Sequence, residues 1–102
     1  MTVKLVVLYT APDDPAAFDE HYLGTHMPLA AKVPGLQRAE TARFDAALDG
    51  GEVSYFRSAV LYFADVEALQ AGLGSDEGQA VAADYQKIAP PGSRMFLATL
   101  DD

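Results

Sequence analysis

The chain has 102 residues, half of them hydrophobic, and its 15 acidic against 7 basic side chains leave a formal net charge of -8. That length supports one domain over residues 1–102 with one core, and that charge argues against nucleic acid or a membrane surface as partner. The absence of cysteine excludes disulfides, thiolate nucleophiles, iron–sulfur clusters and cysteine zinc sites; with no leader pattern and no apolar run of spanning length, the expected location is cytoplasmic.

Val3 to Thr10 is a nearly unbroken apolar run rich in β-branched side chains, ended by Ala11-Pro12-Asp13-Asp14, and it predicts a central strand buried on both faces. Asp14 ahead of Pro15 supplies an N-cap and a proline at the first helical position, so a helix is expected to start there. That helix leads into Phe18 to Leu36, FDEHYLGTHMPLAAKVPGL, which holds both histidines of the chain. On an ideal helix each residue advances by about 100°, which lines up Phe18, Tyr22, Thr25 and Leu29 and sets His21 and His26 on opposite flanks, roughly 140° apart. The pair lacks the four-residue step with which two imidazoles on a regular helix grip one metal, so no metal site is expected. Pro28 cannot donate to the carbonyl of Gly24 and disfavours helical geometry at Met27, so the helix is expected to break around His26, with Thr25 capping a second short piece before Val33-Pro34-Gly35 stops it.

Leu36 to Phe44 alternates loosely and predicts a strand; Asp45 to Glu52 reads as a turn and Val53 to Phe63 as a second long strand, the two forming an antiparallel hairpin. Asp65 is placed to cap a helix through Val66, Leu69 and Leu73, Gly74 interrupts it, and Asp76 opens a further helical stretch with Val81, Tyr85 and Ile88. After Pro90-Pro91-Gly92, Arg94 to Leu100 predicts a last strand before the acidic tail Asp101-Asp102. The order βαββαβ is the ferredoxin-like α+β arrangement with a four-stranded antiparallel sheet, and right-handed crossovers put both helices on one face. Val3 to Tyr9 and Val53 to Phe63 carry large apolar residues at odd and even positions, so the helix-free face is expected to be apolar too. A second copy packing sheet to sheet would cover it, giving a homodimer with a barrel-like interior.

Among side chains that carry chemistry, His26 leads, because an imidazole titrates near neutrality and this one sits beside the helix break; bracing that break is its plainer role. His21, on the polar flank, is expected to be solvated. Tyr22 shares the apolar stripe and could finish a pocket wall, with Phe18 and Leu29 beside it and Tyr55 and Tyr62 adding aromatic surface for an apolar ligand. Arg57 could hold a carboxylate or an enolate oxygen, although an ion pair with an acid is the more ordinary use of such a residue. The acidic residues are scattered, with no pairing that suggests a carboxylate dyad, and most are expected on the surface. No phosphate loop, GxGxxG or GxSxG is present, and no cofactor is expected.

Phe18, His21-Tyr22, His26, Pro28-Leu29-Ala30 and Pro34-Gly35-Leu36, following a short first strand, resemble the EthD family of small dimeric α/β-barrel proteins, and the resemblance extends over nearly the whole chain. It implies a ferredoxin-like protomer dimerising through its sheet and a place in the breakdown of organic compounds or in aromatic polyketide chemistry. It also places the family's shared histidine at His26 and its upstream aromatic at Tyr22. The expectation is an enzyme that moves a proton on a small apolar or aromatic, oxygenated molecule, with His26 and Tyr22 catalytic and Arg57 orienting a carbonyl or carboxylate. A carrier of such a molecule and a cofactor-free monooxygenase are the alternatives; the missing tryptophan argues against a haem-degrading site.

Overall fold

In a computed structural model that describes residues 1–101, the N-terminal apolar run forms β1 (Val3–Tyr9) at the inside of a four-stranded antiparallel sheet. Its neighbours are β3 (Arg57–Phe63) and the edge strand β4 (Arg94–Thr99), and β2 (Arg38–Arg43) pairs beyond β3, giving the order β2-β3-β1-β4. This is the ferredoxin-like α+β fold expected from the sequence; Asp102, the end of the expected acidic tail, lies outside the described residues. The long strand expected from Val53 starts only at Arg57. Beyond the Tyr9–Arg57 pair β1 has ended, and Phe56 makes the last links, donating to the Tyr9 carbonyl at 2.7 Å and accepting from the Phe44 N–H at 2.9 Å. Val53 to Tyr55 lie outside the strand pairing of the described residues.

The helices are α1 (Pro15–His21), a π-helical turn (Tyr22–His26) and α2 (Met27–Ala30) in the first crossover, with α3 (Val66–Gly74) and α4 (Asp76–Ile88) in the second. Asp14, Asp65 and Ser75 cap α1, α3 and α4, accepting from the N–H groups of Ala17, Ala68 and Gly78. Ser75 is what separates α3 from α4: its hydroxyl ends one helix and starts the next. Where the two helices meet, a Cβ on Gly78 would collide with the carbonyl oxygens of Gly72 and Leu73, so this position needs glycine for close approach. No helix among the described residues is long and apolar enough to cross a membrane.

Strand alternation divides the sheet. Val3, Val7, Tyr9, Ala59, Leu61 and Phe63 point at the helices and form the core with Phe18, Tyr22, Ala30, Val33, Leu69 and Val81. The opposite face has an apolar centre of Val6, Leu8, Val60 and Phe96, bordered by Lys4, Arg38, Glu40 and Arg94. Its rim is more polar than the sequence suggested: Arg38 pairs with Glu40 at 3.4 Å and lies 4.5 Å over the ring of Tyr62.

Candidate functional site

The first crossover does not break. Backbone angles at His26 (φ -65°, ψ -51°) and Met27 (φ -66°, ψ -37°) stay right-handed helical, Thr25 caps nothing, and the Met27 N–H donates to the Tyr22 carbonyl five residues back. Pro28 has no N–H to offer Gly24, and a turn widened by one residue carries the chain past this gap without ending the helix. The widening changes where the histidines point. Residues five apart, divergent on an α-helix, come nearly into line on an i to i+5 turn, so His21 and His26 face the same side.

Both imidazoles meet one carboxylate. Asp84 lies on the buried stripe of α4 with Gly78 and Val81, and it receives His26 Nδ1 on Oδ2 at 2.7 Å and His21 Nε2 on Oδ1 at 2.8 Å. The side chains of His26 and Asp84 are 8% and 9% exposed, that of His21 40% exposed, so the cluster runs from the interior to the surface. His21 is therefore paired as well as partly solvated, where the sequence suggested only a solvated flank residue, and Asp84 is not a surface acid. Burial alone would raise the Asp84 carboxyl, but the hydrogen bonds from His21 and His26 and their charges outweigh it and hold it below the ordinary carboxylate value.

With Asp84 accepting at Nδ1, the other ring nitrogen of His26 faces Tyr9, whose phenolic oxygen is 3.4 Å from Nε2. That is a long contact for a hydrogen bond, one that a bound molecule can replace. Burial, reinforced by Tyr22, Tyr85 and Asp84, pushes the Tyr9 phenol far above its usual value, so Tyr9 stays protonated and serves as a donor. Tyr22 is fully buried; its ring stacks on His26 with centroids 5.5 Å apart and on Phe18 at 5.7 Å. Burial pushes its phenol up to about 12 despite Arg57 nearby, and among the described residues its hydroxyl has no hydrogen-bond partner.

Tyr9 and His26 line a cavity of about 240 Å³ between the helices and the β1–β4 side of the sheet. Its other walls are mainly apolar, among them Leu5, Val7, Leu61, Val81, Tyr85 and Leu97, and no lysine or arginine reaches it. Exposed Met95 and Leu97 lie where it meets the edge strand.

Of the residues singled out by sequence, His26 lines this cavity, with Tyr22 and Phe18 stacked behind it. The remainder lie elsewhere. Arg57 turns to α1, donating from Nε to Asp19 at 3.1 Å with its guanidinium 5.1 Å from the Tyr22 ring centroid. Leu29 borders a separate hollow with Lys32, Asp76, Glu77 and Ala80. Tyr62 is on the helix-free face, donating to Glu40 at 2.8 Å, and Tyr55 sits half-buried ahead of β3. Sequence reasoning missed Asp84, the exposed partner His21 and the polar role of Tyr9. A signal for Asp84 existed: it falls three residues after Val81 and four before Ile88, on the apolar stripe of α4, where an unpaired acid would be costly. Among the described residues no group of three or more His, Cys, Asp or Glu is arranged to hold a metal ion.

The EthD domain profile matches residues 12–91, a stretch that contains the π-helical turn, Arg57 and Asp84. The chain belongs to the EthD family. Similar proteins include an uncharacterised 11.0 kDa protein of the thcB–thcC intergenic region of Rhodococcus erythropolis, 38% identical over 94 residues that cover 92% of this chain and 90% of the relative. An ethyl tert-butyl ether d (EthD) family protein of Bacillus halodurans C-125 superposes with a TM-score of 0.93 at 37% identity, over 99% of this chain and all of the other. At fold level the EthD chain also resembles SnoaB, a cofactor-independent oxygenase of Streptomyces nogalater (TM-score 0.72, 18% identity, 99% and 94% covered). A protein of Thermobifida fusca YX described as dimeric and ferredoxin-like shares the fold as well (TM-score 0.74, 16% identity, 98% and 92% covered). EthD membership and the apolar cavity together support a role in binding or converting a small molecule.

Proposed function

We propose that this EthD protein is an enzyme that takes a proton from a small apolar or aromatic, oxygenated molecule held in the cavity, with His26 as general base. One observation carries the reading: Asp84 holds Nδ1 of a buried imidazole whose Nε2 faces the Tyr9 hydroxyl, and both His26 and Tyr9 line the cavity. Donation of Nδ1–H to the carboxylate leaves the lone pair on Nε2, which can accept a proton from an acidic O–H or C–H, and the imidazolium that forms is held against Asp84. The Tyr9 phenol donates to the oxygen that gains charge, and the stacked Tyr22 and Phe18 keep the plane of the ring. Arg57 acts at one remove, its charge held by Asp19 over the Tyr22 ring. A carboxylate ligand finds no cation on these walls, so the preferred molecule is neutral until His26 deprotonates it.

The nearly complete apolar lining also suits a carrier that sequesters such a molecule unchanged. Native mass spectrometry of the purified protein identifies a compound retained in the cavity, and that compound is then offered to wild-type protein and to His26→Ala. Proton-transfer catalysis predicts conversion by the wild type and a loss of about a hundredfold or more in kcat/KM for the variant. A loss within about threefold removes His26 from catalysis. Release of the compound with its mass unchanged selects the carrier, and oxygen consumption during turnover selects cofactor-free oxygenation, the chemistry named for SnoaB.

A further inference from the structure

We propose that His21 is a positioning residue for His26 that acts through Asp84: by occupying Oδ1 it fixes the carboxylate so that Oδ2 is presented to His26 Nδ1. The inference rests on the general-base reading of His26 and deepens it. A carboxylate has two equivalent oxygens and rotates about its own axis; a single partner leaves that rotation open. Here His21 Nε2 lies 2.8 Å from Oδ1 and 3.1 Å from Oδ2, while His26 Nδ1 lies 2.7 Å from Oδ2. The first donor comes from the end of α1 and the second from the end of the π-helical turn, so the carboxylate of α4 is clamped from two levels of the same crossover.

The clamp fixes a protonation pattern as well as a place. An ionised carboxylate only accepts, so each imidazole that faces it presents an N–H, and His26 is held with its proton on Nδ1 and its lone pair on Nε2. The other groups near His26 do not fix this choice. Tyr9 can either donate to Nε2 or accept from it, Tyr22 offers only its ring face, and Tyr85 lines the cavity wall beside them. Without His21, Asp84 has one donor and a free oxygen, so the carboxylate can turn away from His26 Nδ1, and the Nδ1–H tautomer is enforced only while the two still face each other. With its side chain 40% exposed, His21 does this work from the surface and is not among the residues that line the cavity.

The test is 15N and 1H NMR of the imidazoles in the ligand-free protein, which needs no substrate and is simplified because the chain has two histidines. The wild type is expected to show His26 as the Nδ1–H tautomer with a slowly exchanging Nδ1 proton. His21→Gln retains an amide donor for Oδ1 and is expected to keep that exchange rate within about threefold of wild type, whereas His21→Ala and His21→Phe, which differ in bulk but share the lack of a donor, accelerate it at least about tenfold and mix the tautomers. An unchanged His26 signal in Ala and Phe variants overturns the proposal, as does equal acceleration in all three variants, which would tie the effect to the imidazole ring and not to donation. Because no turnover is measured, this result and the His26→Ala kinetics can fail separately: a clamp without a kinetic effect of His26 removes the enzyme reading alone.

Discussion

At the scale of single residues, the site depends on one buried carboxylate and two imidazoles. Asp84 has a lowered carboxyl pKa in the folded protein, so its contribution to stability is fully present above the ordinary carboxylate value near 3.8 and is lost as pH falls through the lowered folded value. Asp84→Asn keeps the shape and removes the charge. At pH 7 the variant is expected to unfold about 1.5 to 3 kcal/mol more easily in urea, the worth of hydrogen bonds to a charged group, and the gap to wild type should narrow as pH drops below about 4. A gap that stays constant down to acid pH would mean that the carboxylate charge does not hold the cluster. Tyr22 makes the opposite case: its hydroxyl is buried without a partner, so Tyr22→Phe is expected to be neutral or to stabilise by up to about 1 kcal/mol, and to leave conversion of the bound compound intact. A large kinetic loss in Tyr22→Phe would give the hydroxyl the catalytic part that its burial argues against.

These residues also show what the sequence could convey. His26 was legible because an imidazole beside Gly24 and Pro28 stands out locally, whereas its partner is 58 positions away on another helix and reaches it only through the fold. Arg57 looked like a ligand-binding cation, yet the aspartate that claims it, Asp19, sits on the crossover helix above, a distance that strand periodicity does not encode.

At the scale of elements, the π-helical turn and the α3–α4 contact place the cluster. Capping residues and strand alternation are local, so Asp14, Asp65 and the four strands could be read from sequence; a turn widened by one residue leaves no periodic signature, and five-residue spacing was read with α-helical geometry. Two glycines in these elements are expected to respond in opposite senses. At Gly24 a Cβ meets nothing within 4 Å, so Gly24→Ala should stabilise by up to about 1 kcal/mol through helix propensity. At Gly78 a Cβ collides with backbone carbonyls, so Gly78→Ala should destabilise by about 1 to 3 kcal/mol or more and loosen the placing of Asp84. Urea unfolding of both variants measures the contrast, and equal effects would show that the α3–α4 approach can yield.

At the scale of the whole molecule, the helix-free face decides assembly. Val6, Leu8, Val60 and Phe96 form an apolar centre that the protomer leaves without a layer of helix, with Phe96 itself 40% exposed. Lys4, Arg38, Glu40 and Arg94 surround it with both signs of charge, an arrangement that a two-fold related copy can complement. A sheet-to-sheet homodimer is therefore expected. Light scattering at micromolar concentration should give twice the protomer mass of 10.9 kDa. Val60→Asp puts a charge into the centre of the patch, where it would lie desolvated between two copies, and should shift the protein to monomer. The cavity of His26 lies mainly on the other side of the sheet and shares only Phe96 with this patch, so binding of the retained compound per protomer should survive a change at Val60. A wild-type monomer would remove the dimer altogether, whereas a dimeric Val60→Asp protein would move its interface to another face.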